Sequence, residues 1–281
     1  MSRFTRTVAI DWSGAKGKRH KGIAIAEARP GAPPRLVRPG QVWSRLEVAD
    51  WLVREAANEP TLFGFDFSFA PPLIERGSYL PGEDVPKTAR EFWAYVEARC
   101  DDDDLGAASF LEVAHRKHFY FGIADGVKAD FVFFRQCDQR LNELGGRKTA
   151  SAYDAIGAAQ VAKASFSGMR LLHHLGDRVA IWPMDELREG QSAVVEIYTR
   201  IYIRNAGLPG KKIRTTTELN QALVALGSMP VKLGKTPNDH QTDALVTAAG
   251  MLAHLANPQA FNPPGLTAKI AQTEGWTFGI V

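Results

Sequence analysis

Three short apolar segments of this chain each carry an acid inside or at the end of the run: Val8-Ala9-Ile10-Asp11, Phe63-Gly64-Phe65-Asp66 and Val194-Val195-Glu196-Ile197. An ionised carboxylate in such a setting costs several kcal/mol unless something pairs with it. The fold must therefore bring partners to these strand ends, and a bound cation is one natural partner. A fourth acidic element, Asp239-His240-Gln241-Thr242-Asp243, places two carboxylates one helical turn apart on one face.

The order of elements around these acids describes a mixed sheet. A β-rich run at 7–11 is followed by a basic, turn-rich stretch at 13–21 and a second strand at 22–28. Pro30, Gly31, Pro33 and Pro34 mark a tight connection to a third strand at 35–43, interrupted by Pro39-Gly40, which reads as a bulge or an edge. That makes an antiparallel three-strand meander. Leu46, Ala49, Leu52, Val53 and Ala56 then fall at helical spacing, Pro60 breaks the helix, and 62–67 returns as an apolar strand. A helical crossover of this kind places its strand parallel to an earlier one.

Pro71-Pro72 opens an elaboration that runs to about 150, with a helix at 87–99, an acidic run at 101–104 that reads as solvated just beyond that helix, and aromatic segments at 119–121 and 131–134. Beyond it come a helix at 153–175, strands at 178–182 and 193–198, and helices at 217–226 and 238–256. The tail, 275–281, is apolar enough to pack. The expected fold is α/β: antiparallel meander plus parallel strands, flanked by helices, in one domain spanning 1–281 with an insertion at 71–150.

Composition narrows the function classes. Of 281 residues, 45% are hydrophobic and 23% charged, which supports a globular core and rules out disorder as the dominant state. A net charge of +3 does not by itself argue for nucleic acid, so any basic footprint must be local. The two cysteines, Cys100 and Cys137, exclude a disulfide framework and a thiolate-only zinc site, and suit a reducing cytosol. No apolar stretch is long enough to span a membrane and there is no room for a signal peptide, so a cytoplasmic location is expected.

Hard cations such as Mg²⁺ or Mn²⁺ take a few carboxylate oxygens plus water and phosphate, and two of them can clamp an in-line phosphoryl transfer. Asp11, Asp66, Glu196, Asp243 and Asp239 are the candidate ligands. Each also has a structural reading: Asp11 or Asp66 receiving turn N–H groups, Asp239 as a helix N-cap, Glu196 paired with Arg200 or Arg170.

The pieces V-A-I-D-W-S-G (8–14), F-G-F-D-F-S-F-A-P-P (63–72), R-Q-C-D-Q-R-L (135–141), V-V-E-I-Y (194–198), D-H-Q-T-D-A-L (239–245) and E-G-W-T-F-G (274–279) span nearly the whole chain. Together they resemble the family of predicted RNase H-like nucleases catalogued as domain of unknown function 429. The resemblance implies a ribonuclease H-like fold with acids on the first and fourth strands and the final helix binding two metal ions. By position it implies Asp11 and Asp66 as the strand ligands, Glu196 as the acid of E-x-Y and Asp243 as the helix acid, with Asp239 a second candidate there. The chain departs from the commoner pattern at Phe67-Ser68, where Pro and Leu are more usual, and at Thr199, where Pro is more usual.

Lys16, Lys18, Arg19 and Lys21 crowd the stretch just after Asp11, where they would hold phosphates if that loop borders the metal site; a solvated hairpin tip is the alternative. Lys211, Lys212 and Arg214 form a similar patch. Lys232 and Lys235 precede Asp239 and would offset charge on a scissile phosphate. His115 and His118 lack further zinc partners and read as surface or packing residues, and Cys137 reads as a buried small hydrophobe.

Three functions compete. The first is a metal-dependent nuclease hydrolysing phosphodiester bonds of nucleic acid. The second is a nucleotide-binding phosphotransferase of the actin-like type, because I-D-W-S-G-A-K-G-K also fits a strand followed by a phosphate loop. The third is a non-catalytic nucleic-acid-binding scaffold.

Overall fold

The computed structural model describes residues 4–145, 149–156, 161–210, 212–235 and 237–281. One six-stranded sheet organises the chain: β1 (Arg6–Asp11), β2 (Ala24–Ala28), β3 (Arg35–Leu36), β4 (Thr61–Phe65), β5 (Ala180–Ile181) and β6 (Ala193–Glu196). The spatial order is β3-β2-β1-β4-β6-β5. The first three strands are antiparallel neighbours, whereas β4 runs parallel to β1, β6 parallel to β4, and β5 parallel to β6. The helices are α1 (Arg45–Asn58), α2 (Ala89–Glu97), α3 (Gln136–Glu143), α4 (Val161–Leu175), α5 (Thr199–Asn205), α6 (Thr216–Ala225), α7 (Asp239–His254) and α8 (Ala268–Thr273).

Strand alternation sorts the core into two layers. Val8, Ile10, Phe63, Phe65 and Val194 point to one face, where they meet α1, α2, α4 and the residues of the 71–156 region. Ala9, Ala26, Leu62 and Val195 point to the other, beneath α5 and α7. Small residues line this second face for a reason. A Cβ on Gly64 would lie 2.6 Å from Ile197 Cγ2 and 2.7 Å from Met251 Sδ, so only glycine lets α7 approach this closely. Thr7 Oγ1 adds a tie across the same seam, donating to the carbonyl of Ala248 at 2.8 Å.

Three expectations need correction. The third strand is two residues long rather than nine, because Arg38 and Gly40 take positive φ values of 46° and 90° and turn the chain out of the sheet; Trp43 returns only as a single bridge to His20. The helix expected at 153–175 begins at Val161, after a turn at 152–153, and 157–160 lie outside the described residues. The acidic run at 101–104 is not simply solvated. Asp104 accepts the backbone N–H groups of Arg45 and Leu46 at 2.9 and 3.1 Å, completing the start of α1, and contacts His20 Nε2 at 3.0 Å.

The rest of the 71–156 region is a series of short helices, a π-helical turn at Phe110–Ala114 and 3₁₀ turns among them, packed over the first face. The tail packs as expected, with Trp276, Phe278 and Ile280 buried. Among the described residues no helix is long and apolar enough to cross a membrane.

Candidate functional site

The parallel strands end together, and their last residues define one edge of the molecule. In the β1–β4 ladder Ile10 pairs with Phe65, so Asp11 and Asp66 follow side by side, and the Asp66 N–H donates to the Ile10 carbonyl at 3.2 Å. Both carboxylates fall on the face covered by α7. That helix begins at Asn238, whose side chain accepts the Gln241 N–H at 2.9 Å while Gln241 caps back. The cap is therefore Asn238 and not Asp239, which becomes the first helical residue. Asp243, one turn on, lies within electrostatic reach of Asp11 and Asp66.

Asp11, Asp66 and Asp243 repel one another, and among the described residues no Lys or Arg pairs with them directly. Burial is the first cause that drives the Asp66 carboxyl well above the carboxylate range, followed by the charges of Asp11, Asp243 and Glu196. Its hydrogen bond from Thr199 Oγ1 is long, at 3.5 Å. Asp243 is pushed up to about 7, by burial first and then by Asp11 and Asp239. Asp11 is raised by burial, against the lowering effect of its contact with His240 Nδ1 at 2.5 Å. His240 is raised in turn, chiefly by that hydrogen bond, and half its side chain remains in solvent. Thr247 Oγ1 and Thr199 Oγ1 lie 2.9 Å apart and form a short hydroxyl chain that ends at Asp66.

Glu196 departs from the expected role. It pairs in register with Phe65, so its side chain lies on the opposite face of the sheet from Asp66. There Arg135 grips both carboxylate oxygens, at 2.5 and 2.6 Å, while Thr277 Oγ1 donates at 2.6 Å and the Phe69 N–H at 2.8 Å. All four groups are buried. Arg135 also bonds Asp138, and Glu274 nearby accepts from the N–H groups of Leu73, Ile74 and Gln136. Motifs quoted from four distant parts of the sequence thus meet in one buried polar junction. Glu196 finds neither Arg200 nor Arg170, and with its lone pairs occupied it lends the cluster charge rather than a free oxygen. Asp239 is exposed and paired with Lys212 at 2.8 Å, which lowers its pKa.

The basic residues are dispersed. Lys16 contacts Glu112 at 2.7 Å, Lys18 contacts Asp103 at 3.1 Å, and Arg19 pairs with Glu47 and donates to the Val42 carbonyl. These three cations face protein acids rather than an open phosphate site, although exposed pairs hold by no more than about 1 kcal/mol. Lys21, Lys232 and Lys235 have no carboxylate partner among the described residues, and Lys232 and Lys235 line a groove beside β3. Lys211 lies outside the described residues.

His240, Thr199 and Arg135 are the residues that sequence reasoning passed over. His240 stood inside D-H-Q-T-D, three positions before Asp243 on the same helical face, which was a readable signal. Thr199 stood out only as a departure from a pattern. His115 and His118 are packing residues, buried on either side of Glu83 with contacts of 2.7 Å each. Cys137 is buried and its thiol is pushed far up by desolvation, and Cys100 is pushed up to about 12, so neither has the lowered thiol pKa of a reactive cysteine.

Among the described residues, no group of three or more His, Cys, Asp or Glu side chains is already arranged to hold a metal ion. The donor chemistry nonetheless suits one: hard oxygens, partly buried, mutually repelling, with Asp66 weakly hydrogen-bonded and Asp11 held by a neutralisable histidine. No protein-family model, curated protein or solved structure matches the chain significantly.

Proposed function

We propose that this chain is a metal-dependent nuclease of ribonuclease H-like fold that hydrolyses phosphodiester bonds, with Asp11, Asp66 and Asp243 holding Mg²⁺ or Mn²⁺. The observation that carries the reading is the convergence of three carboxylates, from the ends of β1 and β4 and from α7, offset among the described residues by His240 in contact and Lys212 at a distance. Keeping such a group together without a cation costs stability, and proteins accept that cost mostly at sites of function. The strand order, with β2 alone reversed among the four strands β2, β1, β4 and β6, and the placement of α7 over β1 support the resemblance drawn from the six motifs.

Bound divalent ions would supply charge neutralisation at the scissile phosphate and activation of water. The chain's own residues have separable tasks. Asp66, oriented by Thr199 and Thr247, is the central donor. Asp243 and Asp11 complete the set once His240 releases Asp11. Glu196 fixes the end of β6 through Arg135 and belongs to the support beneath the site. Asp239 and Lys212 flank its rim.

The test is hydrolysis of labelled single- and double-stranded DNA and RNA with Mg²⁺, Mn²⁺ or EDTA, comparing the wild type with Asp66→Asn. Metal-dependent cleavage lost in the variant supports the proposal. Cleavage that persists in the variant, or in EDTA, overturns it. The phosphotransferase reading gains no support from the single sheet, which gives one strand–loop of the required kind among the described residues and no second, similar half.

A further inference from the structure

Beside the carboxylate cluster a long depression follows the open edge of the sheet. Its upper part, about 190 Å³, is lined by Lys21, Arg38, Trp43, Asn238 and Gln241. It shares Leu36, Pro39, Gly40 and Gln241 with a lower part of about 960 Å³, walled by the β2–β3 hairpin on one side and by residues 231–235 and Pro237 on the other. Both ends are informative. At the top, Lys21 and Gln241 line the groove and adjoin Gly22 and His240, which pack so closely that a Cβ on Gly22 would lie 3.5 Å from His240 Nε2, so the upper end lies beside the histidine that touches Asp11. At the bottom it reaches Arg29.

The charge along this path is one-sided. Lys21, Arg29, Arg35, Arg38, Lys232 and Lys235 line it, against a single acid, Glu27. Glu27 is already neutralised, by Arg6 at 2.6 Å and by Arg35. Arg29 is held by Glu59, and Arg38 sits 5.5 Å from the Trp43 ring centre. Lys21, Lys232 and Lys235 have no such partner among the described residues. A protein whose net charge is only +3 has therefore gathered uncompensated cations into one walled channel whose upper end lies beside His240. A polyanion is what such a channel fits, and one leading to a phosphodiester-cleaving site fits a nucleic acid rather than an acidic peptide.

We propose that a single-stranded nucleic acid lies along this groove, its phosphates against Lys21, Lys232 and Lys235, and enters the carboxylate cluster past Gln241 and His240. The inference rests on the nuclease reading and adds the path and the strandedness of the substrate. The groove is walled by the β2–β3 hairpin on one side and by residues 231–235 and Pro237 on the other, an arrangement that suits one strand better than a duplex. β2 alone, five residues long, extends roughly 17 Å at ~3.3 Å per residue. At ~3.4 Å per nucleotide along a stacked strand, about five phosphates lie beside it. Three of these phosphates neutralised by Lys21, Lys232 and Lys235 give the logarithm of affinity against the logarithm of salt a slope near −2.1, from ~0.7 per phosphate on a single strand.

The experiment is fluorescence anisotropy of labelled oligothymidylate and oligouridylate with the full chain in EDTA, at several salt concentrations. Lys232→Ala/Lys235→Ala should flatten the slope by roughly 1.4 and weaken binding about tenfold or more at low salt. Lys21→Ala should flatten it by about 0.7, and Lys16→Ala, outside the groove, should leave it unchanged. A slope unaltered in the double variant, tighter binding of duplex than of single strand, or equal competition by polyglutamate would overturn the groove. Circular dichroism and thermal melting confirm that each variant folds. If binding follows the lysines but no metal ion elicits cleavage, the groove stands and the nuclease reading falls. If the wild type cleaves and the lysine variants bind and cleave equally well, the reverse holds.

Discussion

Replacing Asp243 by an asparagine should make the metal-free protein more stable, not less, at pH 8. The Asp243 carboxyl is raised from 3.8 to about 7, with burial and the charges of Asp11 and Asp239 as causes. A rise of about three in pKa, at ~1.36 kcal/mol for each, gives an upper bound of about 4 kcal/mol, and solvent screening of this partly exposed group reduces it to about 1–2 kcal/mol. The sign follows from proton linkage. A carboxyl whose folded pKa lies above its unfolded value binds more protons folded, so stability falls as pH rises from about 4 through about 7. The substituted amide never ionises and escapes that loss. In urea denaturation with EDTA, Asp243→Asn should therefore exceed the wild type by about 1–2 kcal/mol at pH 8, and the gap should close at pH 4. Adding Mn²⁺ at a hundred times its Kd should stabilise the wild type by about 2.7 kcal/mol and the variant by much less, reversing the order. A variant less stable than wild type by the same amount at both pH values would mean that Asp243 is a structural acceptor, and the reasoning about uncompensated charge would be wrong.

Arg135→Met and Glu196→Gln should each cost about 3–5 kcal/mol in urea denaturation, because each leaves a buried partner exposed to its own desolvation, and the double variant should cost less than the sum. Mn²⁺ affinity of folded Glu196→Gln should stay within a few-fold of wild type by calorimetry; a loss as large as that of Asp66→Asn would restore Glu196 as a ligand. Gly64→Ala should cost about 1–3 kcal/mol through overpacking against Ile197 and Met251, and weaken Mn²⁺ binding by pushing α7 outward, both read in one calorimetric and melting series. Mn²⁺ affinity of the wild type should fall as pH drops below about 7, by up to tenfold per unit for each proton the ion must displace, and Asp243→Asn should flatten that dependence.

The sequence disclosed the fold where one periodicity dominates, and hid it where two faces look alike. β1, β4 and α1 lay within a residue or two of their expected bounds because apolar runs with clear breakers, Pro60 above all, delimit them. The face on which Glu196 lies was unreadable. Val194, Val195 and Ile197 are apolar on both sides of a strand buried on both sides, so alternation carries no signal and only the Phe65 register decides. Arg135 could not be assigned to Glu196 because the pair is separated by 61 positions and by helices of an insertion whose order was not legible. The same distance hid the acids that Lys16 and Lys18 face, Glu112 and Asp103 of the 71–156 region. At α7, Asn238 and Asp239 are both good caps by residue type, and only the reciprocal bond with Gln241 separates them.

The most direct measurement is a crystal structure grown with Mn²⁺ and read by anomalous diffraction. A peak is expected between β1, β4 and α7, with carboxylate oxygens of Asp11, Asp66 and Asp243 at about 2.0–2.2 Å, His240 released from Asp11, and Glu196 still clasped by Arg135. Full occupancy elsewhere, or a cluster left empty at millimolar Mn²⁺ with His240 still closed on Asp11, would contradict it.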